Sequence, residues 1–81
     1  MTDQHILSTL RHELKSIKPK LPDNLPENSH FKNDWQLDSL ELVEFVARIE
    51  QSFGILIPDE DLPDFISLES TTRYLQNRLT A

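Results

Sequence analysis

Apolar positions recur along this chain at helical spacing. Between residues 4 and 17, Ile6, Leu10, Leu14 and Ile17 step by four, four and three, with Leu7 alongside. That spacing sets an apolar stripe on one face of a helix. Thr2 or Asp3 can cap its start. Pro19 ends it by Lys18, because the residue before a proline is driven out of the α region. From 18 to 34 the pattern lapses. Pro19, Pro22 and Pro26 exclude a continuous helix, while Leu21, Leu25 and Phe31 are spaced as anchors that pin a long crossover onto the helices. The spacing then predicts a principal helix over 39–53. Asp38, followed three residues later by Glu41, is a capping-box pair. Gly54, the chain's single glycine, stands where a left-handed residue terminates a helix. After Ile55-Leu56-Ile57, Pro58 fits the first turn of a short helix over 59–62 that Pro63 interrupts. A last helix runs from a cap at Ser67 or Ser70 to about Leu79, with Leu68, Leu75 and Leu79 on one side and Thr71 or Thr72 between them.

No stretch alternates with the period of a strand. Three main helices, one short helix and a long first loop predict an all-α fold, a small four-helix bundle, as a single domain over 1–81. A chain of 81 residues buries roughly 60–65% of its unfolded surface, which leaves little material for an enclosed catalytic cleft. The absence of cysteine excludes a disulfide framework, a thiolate nucleophile and a cysteine-based zinc site. No apolar segment approaches the ~20 residues that span a bilayer. Met1-Thr2-Asp3-Gln4-His5 lacks the basic-then-apolar character of a secretory leader, so the expected location is cytoplasmic.

The principal helix has two unlike faces. At about 100° per residue, Leu42, Phe45, Val46, Ile49 and Phe53 share one arc and face the core. Leu40, Ala47 and, at the edge, Val43 fall on the other side near Glu44 and Gln51, with Glu41 and Arg48 further round. The net charge of −6 disfavours a nucleic-acid partner. It is also unevenly placed: residues 34–64 carry nine acidic groups against the single Arg48, whereas 1–33 and 65–81 are each close to neutral at +1. A one-signed patch of this kind solubilises a surface, and it also steers encounter with basic partners.

Ser39 is the first residue inside a helix start, where backbone N–H groups are unpaired and the helix dipole is positive. A phosphate on its hydroxyl would be well placed there. Taken alone, Asp38-Ser39-Leu40-Glu41 reads equally as a plain helix cap. A longer register decides more. Leu37-Asp38-Ser39-Leu40-Glu41-Leu42-Val43-Glu44-Phe45 is followed by Ile49-Glu50-Gln51-Ser52-Phe53-Gly54 and by Ile57-Pro58-Asp59-Glu60-Asp61.

With its D-S-L tripeptide, its acidic helix ending near a phenylalanine and its I-P-D-E segment in register, the chain from about Trp35 to Leu79 resembles the acyl carrier proteins. The first 34 residues are similar in outline, a helix and a long loop. The resemblance implies a free-standing carrier that is not an enzyme. Its cofactor would be 4′-phosphopantetheine, covalently attached at Ser39 between Asp38 and Leu40 and donated by coenzyme A through a phosphopantetheinyl transferase. Acyl intermediates of fatty-acid, polyketide or related specialised lipid biosynthesis would be carried as thioesters on the arm. Partners would be acyl-loading and condensing enzymes with basic docking patches, and the carrier itself is expected to be a monomer. By position, Glu41, Glu44, Ala47, Glu50 and Gln51 resemble the family's docking helix, and Ile57, Asp59 and Glu60 its second docking patch. Ile49, Leu62 and Phe65 would lie near an acyl chain, or serve as ordinary core.

The chain departs from the family at several positions. Gln36 stands where glycine is usual, two residues before the aspartate, and Trp35 precedes it. Ala47 replaces a larger apolar residue, Gln51 replaces an acid, and Arg48 adds a positive charge. These departures favour a specialised carrier. An aminoacyl or peptidyl carrier, and a helical interaction module without the arm, remain as alternatives. Other chemistry has weaker support. His5 and His12 are two turns apart, too far to share one ion unaided. Asp59-Glu60-Asp61 lacks the spacing and turn glycine of a calcium loop. No G-x-S-x-G elbow accompanies Ser39.

Overall fold

A computed structural model describes residues 2–80. Met1 and Ala81, the ends of the expected 1–81 unit, lie outside the described residues. Three α-helices form: α1 (Asp3–Ile17), α2 (Ser39–Phe53) and α3 (Leu68–Thr80), with a 3-10 helix over Asp59–Asp64 between the last two. No strand forms among the described residues beyond one isolated antiparallel bridge, His30 with Ser67.

Each α-helix begins where a side chain can satisfy its free amides. Thr2 caps α1, its Oγ1 accepting from His5 N at 3.2 Å. Asp38 caps α2 in a full capping box. Ser67 and Ser70 bond reciprocally at the start of α3, each hydroxyl accepting from the other's backbone amide at 3.1 Å. Gly54 closes α2 with φ +66° and ψ +37°, the left-handed conformation that glycine adopts at little cost.

α1 packs against both α2 and α3. Ile6, Leu7, Leu10 and Leu14 from α1, Phe45, Val46 and Ile49 from α2, and Leu68 and Leu75 from α3 form the buried centre. Leu42 and Phe53, expected in the same arc, are partly buried at its margin. The first crossover contributes its anchors as well: Leu21, Leu25, Phe31 and Leu37 are all buried. Phe31 sits edge-on to Phe45, ring centres 5.5 Å apart. Side chains also hold the crossover, Arg11 donating to the Leu25 carbonyl and Trp35 Nε1 to the Ser29 hydroxyl at 2.6 Å. Phe31 N donates to the Ile66 carbonyl at 2.8 Å, tying the crossover to the segment before α3.

The short helix differs from expectation in two ways. Pro58 is its N-cap residue rather than part of its first turn, and Pro63 lies inside it instead of interrupting it. The fixed proline φ near −65° falls within the 3-10 range, so the chain continues through Pro63 at the cost of one amide donor. Three polar contacts hold this segment in place. Tyr74 donates to Asp61 Oδ2 at 2.6 Å. Arg78 donates to the Tyr74 hydroxyl at 2.7 Å and to the Leu56 carbonyl at 2.7 Å.

Candidate functional site

The site is the amino-terminal end of α2 and the surface running down from it. Asp38 Oδ1 accepts from Glu41 N at 2.7 Å, and Glu41 Oε1 accepts from Asp38 N at 3.0 Å. The cap is complete without the serine between them. Ser39 is exposed, and among the described residues its hydroxyl makes no hydrogen bond. Its position at the first turn sets it in the positive field of the helix dipole. Lys18 braces this end from below: its Nζ lies 3.5 Å from Glu41 Oε1 and donates to the Gln36 carbonyl at 3.1 Å.

Gln36 occupies the position noted above as a departure from glycine, and its φ is +57°. This is the left-handed region, which costs a residue bearing Cβ about 1–2 kcal/mol. The turn that delivers Ser39 therefore needs the conformation glycine would supply, and the chain forces glutamine into it.

The outer face of α2 carries an apolar stripe. Leu40 is 82% exposed and Val43 57%. Ala47, also exposed, follows one turn later. Leu56, just beyond the end of the helix, is 80% exposed. Glu44, Gln51, Asp59 and Glu60 are exposed around this stripe. Asp59 and Glu60 have no cationic partner among the described residues. Val43, Ala47, Glu50, Asp59 and Leu62 surround a shallow cleft of about 150 Å³ between α2 and the 3-10 helix.

Several residues singled out from the sequence have structural duties. Glu41 is committed to the cap and to Lys18. Glu50 is half-buried, and its Oε2 accepts from Ile57 N at 2.7 Å, fastening the loop after α2. Ile57 is buried, so the side chain this loop presents outward is Leu56, which the sequence reading did not single out. A three-residue apolar run gives no period from which to decide which side chain turns inward. Arg48 is held between Glu13 of α1 at 3.4 Å and Glu44 at 3.5 Å, which partly neutralises its charge.

Ile49 is fully buried and Phe65 is 4% exposed, while Leu62 is partly buried. Leu62 and Phe65 line a second cleft of about 200 Å³ together with Leu42, Pro63, Ile66, His30, Lys32 and Asn33. Leu42 lies one turn below Ser39 on the same side of α2, so this cleft opens beneath the serine. Ile49 does not line it. Tyr74, packed on Phe65 with ring centres 5.0 Å apart, closes the layer behind. Burial, and the Asp61 carboxylate that accepts its hydrogen bond, raise the pKa of the Tyr74 hydroxyl above its ordinary value of 10.0. His5, His12 and His30 are exposed, and no group of three or more potential ligand side chains among the described residues is placed to hold a metal ion. No helix among the described residues is long and apolar enough to cross a membrane.

Known proteins share this architecture and are similar in sequence. The family model described as a phosphopantetheine attachment site matches residues 6–75. An acyl carrier protein of Lactobacillus acidophilus is 27% identical over 77 residues, covering 95% of this chain and 96% of that one. The mitochondrial acyl carrier protein of Neurospora crassa is 44% identical over 54 residues, 67% of this chain and 40% of the longer relative. A solution structure assigned to an acyl carrier protein of Anaplasma phagocytophilum superposes with a TM-score of 0.83 at 24% identity, over 96% of this chain and 92% of that one, and so shares the fold. A match that starts in α1 and runs into α3 covers the capped helix start as well as the bundle around it, and the chain accordingly belongs to the acyl carrier protein family, whose cofactor is covalently attached 4′-phosphopantetheine.

Proposed function

We propose that this chain is an acyl carrier with its arm on Ser39. One observation carries the assignment: Asp38 and Glu41 complete the cap of α2 without the serine, leaving an exposed, unbonded hydroxyl at the positive end of a helix. The residues present fit the group. A phosphodiester on Ser39 would meet the free amides of the first turn, and Lys18 pairs with the Glu41 carboxylate and so offsets its charge. When bound, the arm supplies the thiol on which acyl groups travel as thioesters, in a chain that has no cysteine of its own. The protein's own residues position and present; on this reading they make and break no bonds, and the carrier is not an enzyme. Tethering raises the effective concentration of cargo at each docked enzyme.

The face offered to those enzymes is the stripe of Leu40, Val43, Ala47 and Leu56, with Glu44, Asp59 and Glu60 as its acidic rim. Apolar contact at the centre with charge at the edge is the usual anatomy of a protein interface, and the acidic rim suits partners with basic patches, the modifying transferase among them. The cleft beneath Ser39 gives the cargo an apolar wall in Leu42, Leu62 and Phe65. We place the protein in the cytoplasm, as a monomer, serving fatty-acid, polyketide or related lipid synthesis.

Incubation of the purified chain with coenzyme A, Mg²⁺ and a broad-specificity phosphopantetheinyl transferase, followed by intact mass, tests the assignment. The wild type should gain one phosphopantetheine unit, and a folded Ser39→Ala variant should gain none. A folded wild type that gains nothing would sink the reading.

A further inference from the structure

The carboxylates of α2 and its cap are all engaged within the chain. Asp38 accepts from the Glu41 amide and Glu41 from the Asp38 amide, with Lys18 also 3.5 Å from Glu41. Glu50 is half-buried and accepts from Ile57 N. Glu44, the remaining carboxylate of the helix, lies 3.5 Å from Arg48. Arg48 is the single basic group among residues 34–64, and it is fixed in place. Glu13 of α1 holds its other terminal nitrogen at 3.4 Å, its side chain is 38% exposed, and its Nε is buried. Gln51, further along the exposed surface, carries no charge. The 3-10 helix is different. Asp59 and Glu60 are exposed and have no cationic partner among the described residues. Their segment is nonetheless anchored, because Tyr74 donates to the adjacent Asp61 at 2.6 Å and Arg78 to the Leu56 carbonyl at 2.7 Å. Asp59 borders the cleft that Val43 and Ala47 line, so this uncompensated charge adjoins the apolar stripe of α2.

A basic side chain that approaches Glu44 meets Arg48 as well. It is repelled by the like charge, and it gains one ion pair only by weakening another. A basic side chain that approaches Asp59 or Glu60 meets free carboxylates and displaces nothing. Resting on the docking face assigned above, we propose that the charge a partner recognises on this carrier lies on the 3-10 helix and not on α2. The partner that fits lays an apolar side chain across Leu40, Val43 and Ala47 and sets lysine or arginine against Asp59 and Glu60. Arg48 is the specificity-determining residue. It disfavours partners whose cations converge on Glu44, and it favours those that bring a neutral or acidic group to that side. Each exposed pair changes association by about two- to fivefold.

The phosphopantetheinyl transferase serves as the probe partner. Its kcat/KM for modification of Ser39 is read at low and high salt, and urea unfolding verifies that every variant is folded. At low salt, Asp59→Asn combined with Glu60→Gln should lower kcat/KM about fourfold or more through a raised KM, two pairs being lost. Glu44→Gln alone should lower it less than about twofold, because Arg48 already offsets that charge. In an Arg48→Met background the Glu44→Gln penalty should grow to about two- to fivefold, and high salt should shrink all these differences. Glu13→Gln breaks the same bridge between α1 and α2 but keeps the cation, so there the Glu44→Gln penalty should stay small. A Glu44→Gln penalty in the wild type as large as that of the Asp59 and Glu60 pair overturns the proposal. So does a penalty that Arg48→Met leaves unchanged, or that Glu13→Gln raises equally. Each of these outcomes leaves the arm on Ser39 standing, whereas a folded wild type that is never modified overturns both.

Discussion

The two ends of α2 use the same device for different outcomes. At the amino-terminal end Glu41 turns back to accept the Asp38 amide, and at the carboxyl-terminal end Glu50 reaches forward to accept the Ile57 amide. The first leaves a serine hydroxyl free between its partners. The second buries Ile57 and sends Leu56 outward. Two of the acids of α2 are therefore structural, Glu41 as its spacing from Asp38 already suggests and Glu50 without such a sign, and the docking face proposed above draws its charge from Glu44, Asp59 and Glu60. Acidity on this helix is not a measure of docking capacity. What separates the two roles is whether a backbone amide lies within reach.

The largest effect expected from breaking this pairing is at the carboxyl-terminal end. Glu50→Ala leaves the Ile57 amide without its acceptor and should destabilise the fold by about 1–3 kcal/mol, read from urea unfolding. Glu50→Gln keeps a carbonyl acceptor and should recover much of the loss. A Glu50→Ala variant as stable as wild type would contradict the structural role. Asp38→Ala removes the cap acceptor at the other end and should cost about 1 kcal/mol, measured the same way, with Ser39 still present as a modification target.

A smaller change tests what holds the segment after α2. Tyr74→Phe removes the donor to Asp61 and the acceptor of Arg78, in a partly exposed setting, for an expected loss of about 1 kcal/mol. The same group makes stability depend on pH. Because its folded value lies above the unfolded one, its contribution is fully present below the ordinary tyrosine range near 10 and is lost as pH rises through the folded value. Wild type should lose stability in that alkaline window more steeply than Tyr74→Phe, and parallel pH profiles for the two proteins would show that Tyr74 carries no such linkage. The smallest effect runs the other way. Gln36→Gly removes a side chain from a left-handed turn at φ +57°, but frees the unfolded chain, so a net gain of about 0.5–1 kcal/mol is expected; a lower melting temperature would contradict it.

Local features were legible from the amino acids and contacts across the fold were not. Asp38 with Glu41, Gly54 and Ser67 with Ser70 mark helix ends because caps act within three or four residues, and α1 and α2 start and stop within one residue of expectation. The inner arc of α2 follows from its period, although Leu42 and Phe53 reach only its margin. Pro63 continues its helix instead of interrupting it, because the rule that proline breaks a helix rests on α geometry and this helix is 3-10. The duty of Glu50 depends on a loop that doubles back, and the tie from Arg78 to the Leu56 carbonyl joins residues 22 apart; neither leaves a trace in spacing. Gln36 stood out as a departure, but only the backbone shows that the position demands a left-handed residue. The cleft below Ser39 was legible only in part: Leu62 and Phe65 are marked by the resemblance, whereas His30, Lys32 and Asn33 reach it from the crossover.

Carrier function on this reading turns on one hydroxyl among seven serines. Peptide mapping by mass spectrometry after enzymatic modification, with the phosphopantetheine localised by fragmentation, tests it most directly. A single modified residue, Ser39, is expected at full occupancy in the folded protein. Modification at any other serine would contradict it.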